Sequence, residues 1–434
     1  MTAIVPSPLF LVNSTMKYFL SFVFVFFIPF AAFGQTPAVP APAADEAAVN
    51  FAGTEDEAKA LGAKNKEFME KFAEYREITK QLTKLKNEMV DAKPDRQEEI
   101  YKEYDPLYKK GLAIFKQLYA VGFAAYDEAP HRNGDVDELL FRSVEWEFRR
   151  ENYEESVRVF KHLLKHKLPT GTGVLYVYAG LSALMTMDLD DAETWLKIAT
   201  DNKALEQVMK SFAQNEKGQE TVMGFEGLYR RIPEFRKDWA KEQEIRKAEA
   251  EAGEKDPNKK LPRVKLQTSK GDIVIELFEN EAPNTAANFI SLAEKGFYNG
   301  TKFHRVLPFF MAQGGDPEGT GGGGPGYGID CENKIPNARK HFRGTLSMAH
   351  AGPDTGGSQF FLTFVPTYFL DRTTRPPGHT VFGRVVEGMD VLSDIQRFDP
   401  SDEKAVIPVL DKIEKATVLN KRNHEYVPIK NANR

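Results

Sequence analysis

From about residue 55 to residue 90 apolar positions recur every three, four or seven residues in an otherwise charged stretch. Leu61, Phe68, Phe72, Tyr75, Ile78, Leu82 and Leu85 fall on one stripe of a long helix. Pro94-Asp95 interrupts the pattern. Tyr101, Tyr104, Tyr108, Leu112, Phe115, Leu118 and Tyr119 then mark a second helix over roughly 95–126. The two predict a long antiparallel helical hairpin whose aromatic stripe is core. Further on the period changes from 3.6 to 2. Val264-Lys265-Leu266-Gln267-Thr268 and Ile273-Val274-Ile275-Glu276-Leu277-Phe278 flank Ser269-Lys270-Gly271, a hairpin signature. Pro283-Asn284 starts a helix with Ala286, Phe289, Ile290 and Ala293 on one face, ended by Gly296. A second helix is expected over 389–397, with Val391, Leu392 and Ile395 inward, and a closing strand over 412–420.

Between these regions a weak repeat is visible. Tyr153-Glu154-Glu155-Ser156 and Val159-Phe160-Lys161 align with Leu189-Asp190-Asp191-Ala192 and Trp195-Leu196-Lys197, 36 residues on (189 − 153). Ser143 falls opposite Ala179 and Phe148 opposite Leu184. Period and size alternation resemble tetratricopeptide helix pairs over about 136–204. Only two units are visible, so flanking helices must cap them. A docking surface for a protein partner and a plain helical spacer both fit. The Lys/Glu/Ala-rich run 238–261 reads as a charged, fraying linker.

At the N-terminus, Met16-Lys17 precedes an apolar run from Tyr18 to Phe33, broken by Ser21 and Pro29 and followed by Gly34. This is the order of a secretory signal peptide over 1–34, with Met16 a plausible start. The run is shorter than the ~20 apolar residues a spanning helix needs. The expectation is export, to a periplasm, with a retained membrane anchor as the alternative. An Ala/Pro-rich spacer follows over 35–50, then a helical domain over 51–237. Net charge is −5, which gives no electrostatic footprint for nucleic acid. A single cysteine, Cys331, excludes an internal disulfide and a cysteine metal cluster.

The chemistry concentrates in two blocks. Phe303-His304-Arg305-Val306-Leu307-Pro308-Phe309-Phe310-Met311-Ala312-Gln313-Gly314-Gly315-Asp316 sets an arginine, aromatic faces and an amide beside adjacent glycines. Gly356-Gly357-Ser358-Gln359-Phe360-Phe361 adds a second amide and two phenylalanines. Together they predict an apolar pocket with one fixed cation and neutral hydrogen-bonding groups, sized for a proline ring.

These blocks, with Leu346-Ser347-Met348-Ala349-His350-Ala351-Gly352-Pro353, Phe369-Leu370-Asp371 and His379-Thr380-Val381-Phe382-Gly383-Arg384-Val385, closely resemble the cyclophilin family of peptidyl-prolyl cis-trans isomerases. The resemblance covers 262–422 and leaves 423–434 as a tail. It implies a closed, eight-stranded antiparallel β-barrel with two helices, after an all-α N-terminal region. It also implies a reaction on X–Pro bonds of unfolded or newly exported polypeptides, with no cofactor and no metal. A proline-peptide binding module with little turnover is the alternative. Arg305, whose guanidinium offers rigid charged donors, is the expected catalytic group, with Gln313 holding the substrate backbone and Phe310 beside them. The resemblance makes Phe310, Met311, Phe361 and Leu370 the floor and walls of the proline pocket. Gln359, Ala349, His350 and Ala351 become its groove edge, and His304 and His379 its border.

Three departures stand out. Phe369 occupies a position where many members carry tryptophan, implying weak binding of cyclosporin-type inhibitors. Phe309 replaces a common glycine and is expected to narrow the rim. The stretch Arg372 to Gly378, with Pro376-Pro377, is long and bears on substrate choice. The run Thr320-Gly321-Gly322-Gly323-Gly324-Pro325-Gly326 lacks the Lys-Ser/Thr of a phosphate loop and reads as a flexible surface loop. His304, His341, His350 and His379 include no helical His-x-x-x-His pair, and Ser358 has no triad-like partner order.

Overall fold

The computed structural model describes residues 62–373, 377–401 and 410–431. The expected signal segment and spacer lie outside the described residues, as does Leu61. Among the described residues, no helix is long and apolar enough to cross a membrane. The described residues form two compact units, one of residues 62–143 with 159–169, the other of 144–158 with the described residues from 170 to 431.

In the first unit, α1 (Ala63–Asp91) and α2 (Pro94–Glu128) form the expected hairpin. Phe68, Phe72, Tyr75, Ile78 and Leu82 are all buried along α1. Antiparallel pairing follows from Lys71 bonding Gln117 (2.8 Å) and Lys110 meeting Glu74 (2.9 Å). Where the hairpin opens, the Glu128 carboxylate accepts the Asn65 N–H (2.9 Å), satisfying a donor at the start of α1.

Helices α3 (Gly134–Arg149), α4 (Tyr153–Leu163), α5 (Gly173–Met185) and α6 (Leu189–Asp201) follow. The starts of α4 and α6 are 36 residues apart (189 − 153), as are the ends of α3 and α5 (185 − 149). The apolar α5 is buried continuously from Val177 to Met185, so it is a central helix. Next come α7 (Ala204–Phe212), α8 (Glu216–Arg230) and α9 (Ile232–Lys255). The Asn215 side chain caps α8 by accepting the Gly218 N–H.

The run read as a fraying linker is mostly the body of α9. Its Glu242 is 5% exposed and chelates Arg339 through two 2.8 Å bonds, and Glu249 adds a third at 2.8 Å. The Arg339 guanidinium also lies 3.8 Å over the Phe278 ring. Charge here marks a docked surface because each buried carboxylate meets a fixed cation.

Eight strands form one antiparallel sheet: β1 (Arg263–Thr268), β2 (Gly271–Leu277), β3 (Arg305–Leu307), β4 (Met311–Gly314), β5 (Thr345–Met348), β6 (Phe360–Thr363), β7 (Val381–Glu387) and β8 (Ile413–Asn420). Their order is β3-β4-β6-β5-β7-β2-β1-β8. The expected closed barrel is therefore corrected to a curled, open sheet, because β3 and β8 remain edges. With only three residues, β3 is too short to build a ladder there. Isolated bridges such as Lys302 with Lys412 span the gap instead. Helix α10 (Pro283–Glu294) packs Ala286, Phe289, Ile290 and Ala293 inward as expected. Helix α11 (Met389–Asp394) stops short of residue 397, although Ile395 is still buried. The tail is anchored: the Tyr426 hydroxyl donates to Glu279 (2.8 Å), and the Asn431 N–H donates to the Gly328 carbonyl (2.9 Å).

Candidate functional site

The site is built on a hairpin. Strands β3 and β4 set Arg305 opposite Gln313, and the turn 308–310 presents Phe310. Gly315 follows with φ +82°, and a Cβ there would lie 2.4 Å from the Ser358 carbonyl oxygen. Only glycine permits that approach. The Ser358 hydroxyl donates to the Gly315 carbonyl (2.7 Å), which seats the next residue, Gln359, beside Gln313.

A pocket of about 420 Å³ results. Eleven of the thirteen expected residues line it: Arg305, Phe310, Met311, Gln313, Ala349, His350, Ala351, Gln359, Phe361, Leu370 and His379. Two do not. His304 is buried behind the wall, its ring 3.8 Å from where a Gly321 Cβ would stand. Burial is the main reason its pKa falls, against the pull of Asp316. Phe369 is 39% exposed, with its ring centroid 5.5 Å from that of Phe310.

Arg305 carries the charge. Its guanidinium carbon lies 5.8 Å from the Phe310 ring centroid, and among the described residues no carboxylate pairs with it. Opposite, the Gln313 amide donates to the Gln359 side-chain oxygen (3.0 Å), and Gln359 donates to the Gly321 (2.9 Å) and Gly323 (2.8 Å) carbonyls. His350 and His379 stack with centroids 4.1 Å apart, each held by a backbone carbonyl, Gly378 and Met348 respectively.

The glycine run is a wall and not a flexible surface loop: Gly321 to Gly324 form one side of the pocket. The buried Asp316 carboxylate organises them by accepting the N–H groups of Glu318, Thr320, Gly321 and Gly323. Burial works against its ionisation, but those four donors outweigh it and hold Asp316 below the ordinary carboxylate range. Thr355, Gly357 and Ser358 also line the pocket and were not expected there. The missed signal is an aspartate just ahead of a glycine run, a carboxylate facing bare backbone N–H groups.

Phe309 does not narrow the rim. It occupies the left-handed region (φ +54°), which costs a bulky residue of order 1–3 kcal/mol, and its ring faces away from the pocket. Burial pushes the Cys331 thiol above its usual pKa, the wrong direction for a nucleophile. No group of three or more His, Cys, Asp or Glu side chains among the described residues is arranged to hold a metal ion.

The family described as "Cyclophilin type peptidyl-prolyl cis-trans isomerase/CLD" matches residues 263–432. A peptidyl-prolyl cis-trans isomerase of Helicobacter pylori (strain ATCC 700392 / 26695) is 54% identical over 136 residues, 31% of this chain and 80% of that protein. The Schizosaccharomyces pombe isomerase ppi1 is 47% identical over 163 residues, 37% of this chain and all of that protein. A Cryptosporidium parvum cyclophilin crystallised in the presence of the dipeptide Ala-Pro aligns at 33% identity and a TM-score of 0.32, over 37% of this chain and 99% of that one. With the five motif segments meeting at one pocket and relatives matched over most or all of their length, the chain belongs to the cyclophilin-type peptidyl-prolyl cis-trans isomerases, its isomerase domain following a helical region.

Proposed function

We propose that Arg305 is the catalytic group and that the pocket binds a proline ring against Phe310, Met311, Phe361 and Leu370. The planar X–Pro bond resists rotation by about 20 kcal/mol and turns over unaided in ~10–100 s. Twisting it ends amide resonance and makes the proline nitrogen basic enough to accept a hydrogen bond. A guanidinium that donates to the twisted form and not to either planar form lowers the barrier, because only interactions stronger in the transition state accelerate rotation. Gln313 holds the backbone on one side of the bond. Ala349, His350, Ala351 and Gln359 receive the chain beyond it. No bond is made or broken, so no cofactor is required.

The observation that carries this reading is the Arg305 guanidinium beside an apolar pocket with no carboxylate paired to it among the described residues. The substrates are proline-containing segments of unfolded or newly exported polypeptides, whose folding the enzyme assists. Export rests on the apolar run from Tyr18 to Phe33. The tetratricopeptide-like 36-residue spacing makes the helices a candidate for contacts with client proteins. In a protease-coupled proline-peptide assay, Arg305→Ala loses about 100-fold or more in rate, the usual effect of removing one transition-state donor. Equal rates for the two proteins end the assignment to Arg305.

A further inference from the structure

Phe309 and Tyr368 each stand next to a pocket wall and point the other way, into the helices. The Phe309 ring sits in an aromatic cluster with Phe148 of α3 (5.9 Å), Phe212 of α7 (6.5 Å) and Phe225 of α8 (5.3 Å). Its N–H donates to the carboxylate of Glu151 (3.0 Å), which is 1% exposed and also faces Arg397 at 3.3 Å. Glu151 has a positive φ of 63°, so both ends of this contact are non-glycine residues in left-handed backbone. Such conformations persist only where the surroundings enforce them. Arg343 and the Ser393 hydroxyl supply that enforcement, each donating to the Glu151 carbonyl at 2.8 Å. Tyr368 opens the short turn that carries Phe369 and Leu370. Its ring lies 4.1 Å beneath the Arg231 guanidinium carbon and 6.2 Å from Phe235 of α9. One residue on from Phe309 is Phe310, two on from Tyr368 is Leu370, and both line the pocket.

We propose that Phe309 and Tyr368 are positioning residues, through which the helices hold both walls of the proline pocket from behind and set its fit to the twisted imide. The proposal rests on the reading of this pocket as the isomerisation site. A glycine at position 309 would adopt the same backbone without strain. The phenylalanine is therefore there for what its ring touches. The aromatic recess among α3, α7 and α8 is occupied by this chain's own catalytic hairpin, so the helices act on the reaction as well as on any client.

The test uses the full chain, with kcat and KM measured separately on a proline peptide well below the melting temperature and folding checked by circular dichroism. Phe309→Gly and Tyr368→Ala should each lower kcat about fivefold with KM within about twofold, since small misplacements of a wall act on the transition state. Tyr368→Phe, which keeps the ring, should restore kcat. If both variants keep wild-type kcat while only the melting temperature falls, the contacts are packing alone and the proposal is overturned. Failure of the underlying reading looks different, because then Arg305→Ala would turn over as fast as the wild type.

Discussion

Gln359 reaches in two directions, tying down the Gly321 and Gly323 carbonyls with its amide nitrogen and receiving Gln313 on its oxygen. Removing it frees the glycine wall and leaves the Gln313 amide without an orienting partner. Gln359→Ala should therefore raise KM by about 3–10-fold with a smaller change in kcat, the pattern of lost uniform binding. Steady-state kinetics on a proline peptide checks this, and an unchanged KM contradicts it. At this scale Arg305, Phe310 and Gln313 were legible because they are adjacent along one hairpin and their chemistry is in their side chains. The glycine wall was not legible, since it contributes backbone groups whose shape is set by Asp316. Nor could the direction of Phe309 be read, because its partners Phe148, Phe212 and Phe225 are remote in sequence.

The C-terminal end of α3 joins the helices to the hairpin turn, and it carries a titratable strain. Burial pushes the Glu147 carboxyl up to about 7, against the opposing pull of Arg150 and a 2.7 Å bond from the Asn152 amide. The folded state then holds a proton that the unfolded chain releases near its ordinary pKa of 4.5. Stability should fall as pH rises from about 4.5 to 7 and stay low above that, by at most about 3 kcal/mol. Glu147→Gln keeps an acceptor for Asn152 and removes the charge. Urea unfolding should show it stabilised relative to wild type at pH 8 and near wild type at pH 5, whereas an equal effect at both refutes the argument. The α1–α2 hairpin and α10 were readable at this scale because their apolar stripes keep a 3.6-residue period. The docked role of α9 was hidden, since a solvated acidic face and one paired with Arg339 look alike in sequence.

Across the whole molecule, the buried Arg339 cluster fastens α9 to the sheet. Burial opposes ionisation of Glu242, but its bonds from Arg339 outweigh this and hold its pKa below the usual value. That contribution is present above the ordinary glutamate pKa and is lost as pH falls through the depressed one, so the docked arrangement is acid-labile. Arg339→Met leaves Glu249 without its cation and Glu242 with Arg246 at 2.7 Å and Arg384 at 3.8 Å, and should cost about 3 kcal/mol at neutral pH. A melting temperature unchanged by the substitution would show that the helices are held by other contacts. The open sheet was misjudged because closure depends on how far the edge strands extend, and neither composition nor alternation reports that a three-residue β3 cannot pair with β8. The most direct test of the account takes the full chain and Arg305→Ala, and follows a single X–Pro peptide by NMR, reading binding from shifts and isomerisation from exchange between cis and trans signals. Binding should stay within a few-fold of wild type while enzyme-driven exchange slows about 100-fold. Exchange as fast in Arg305→Ala as in wild type would contradict it.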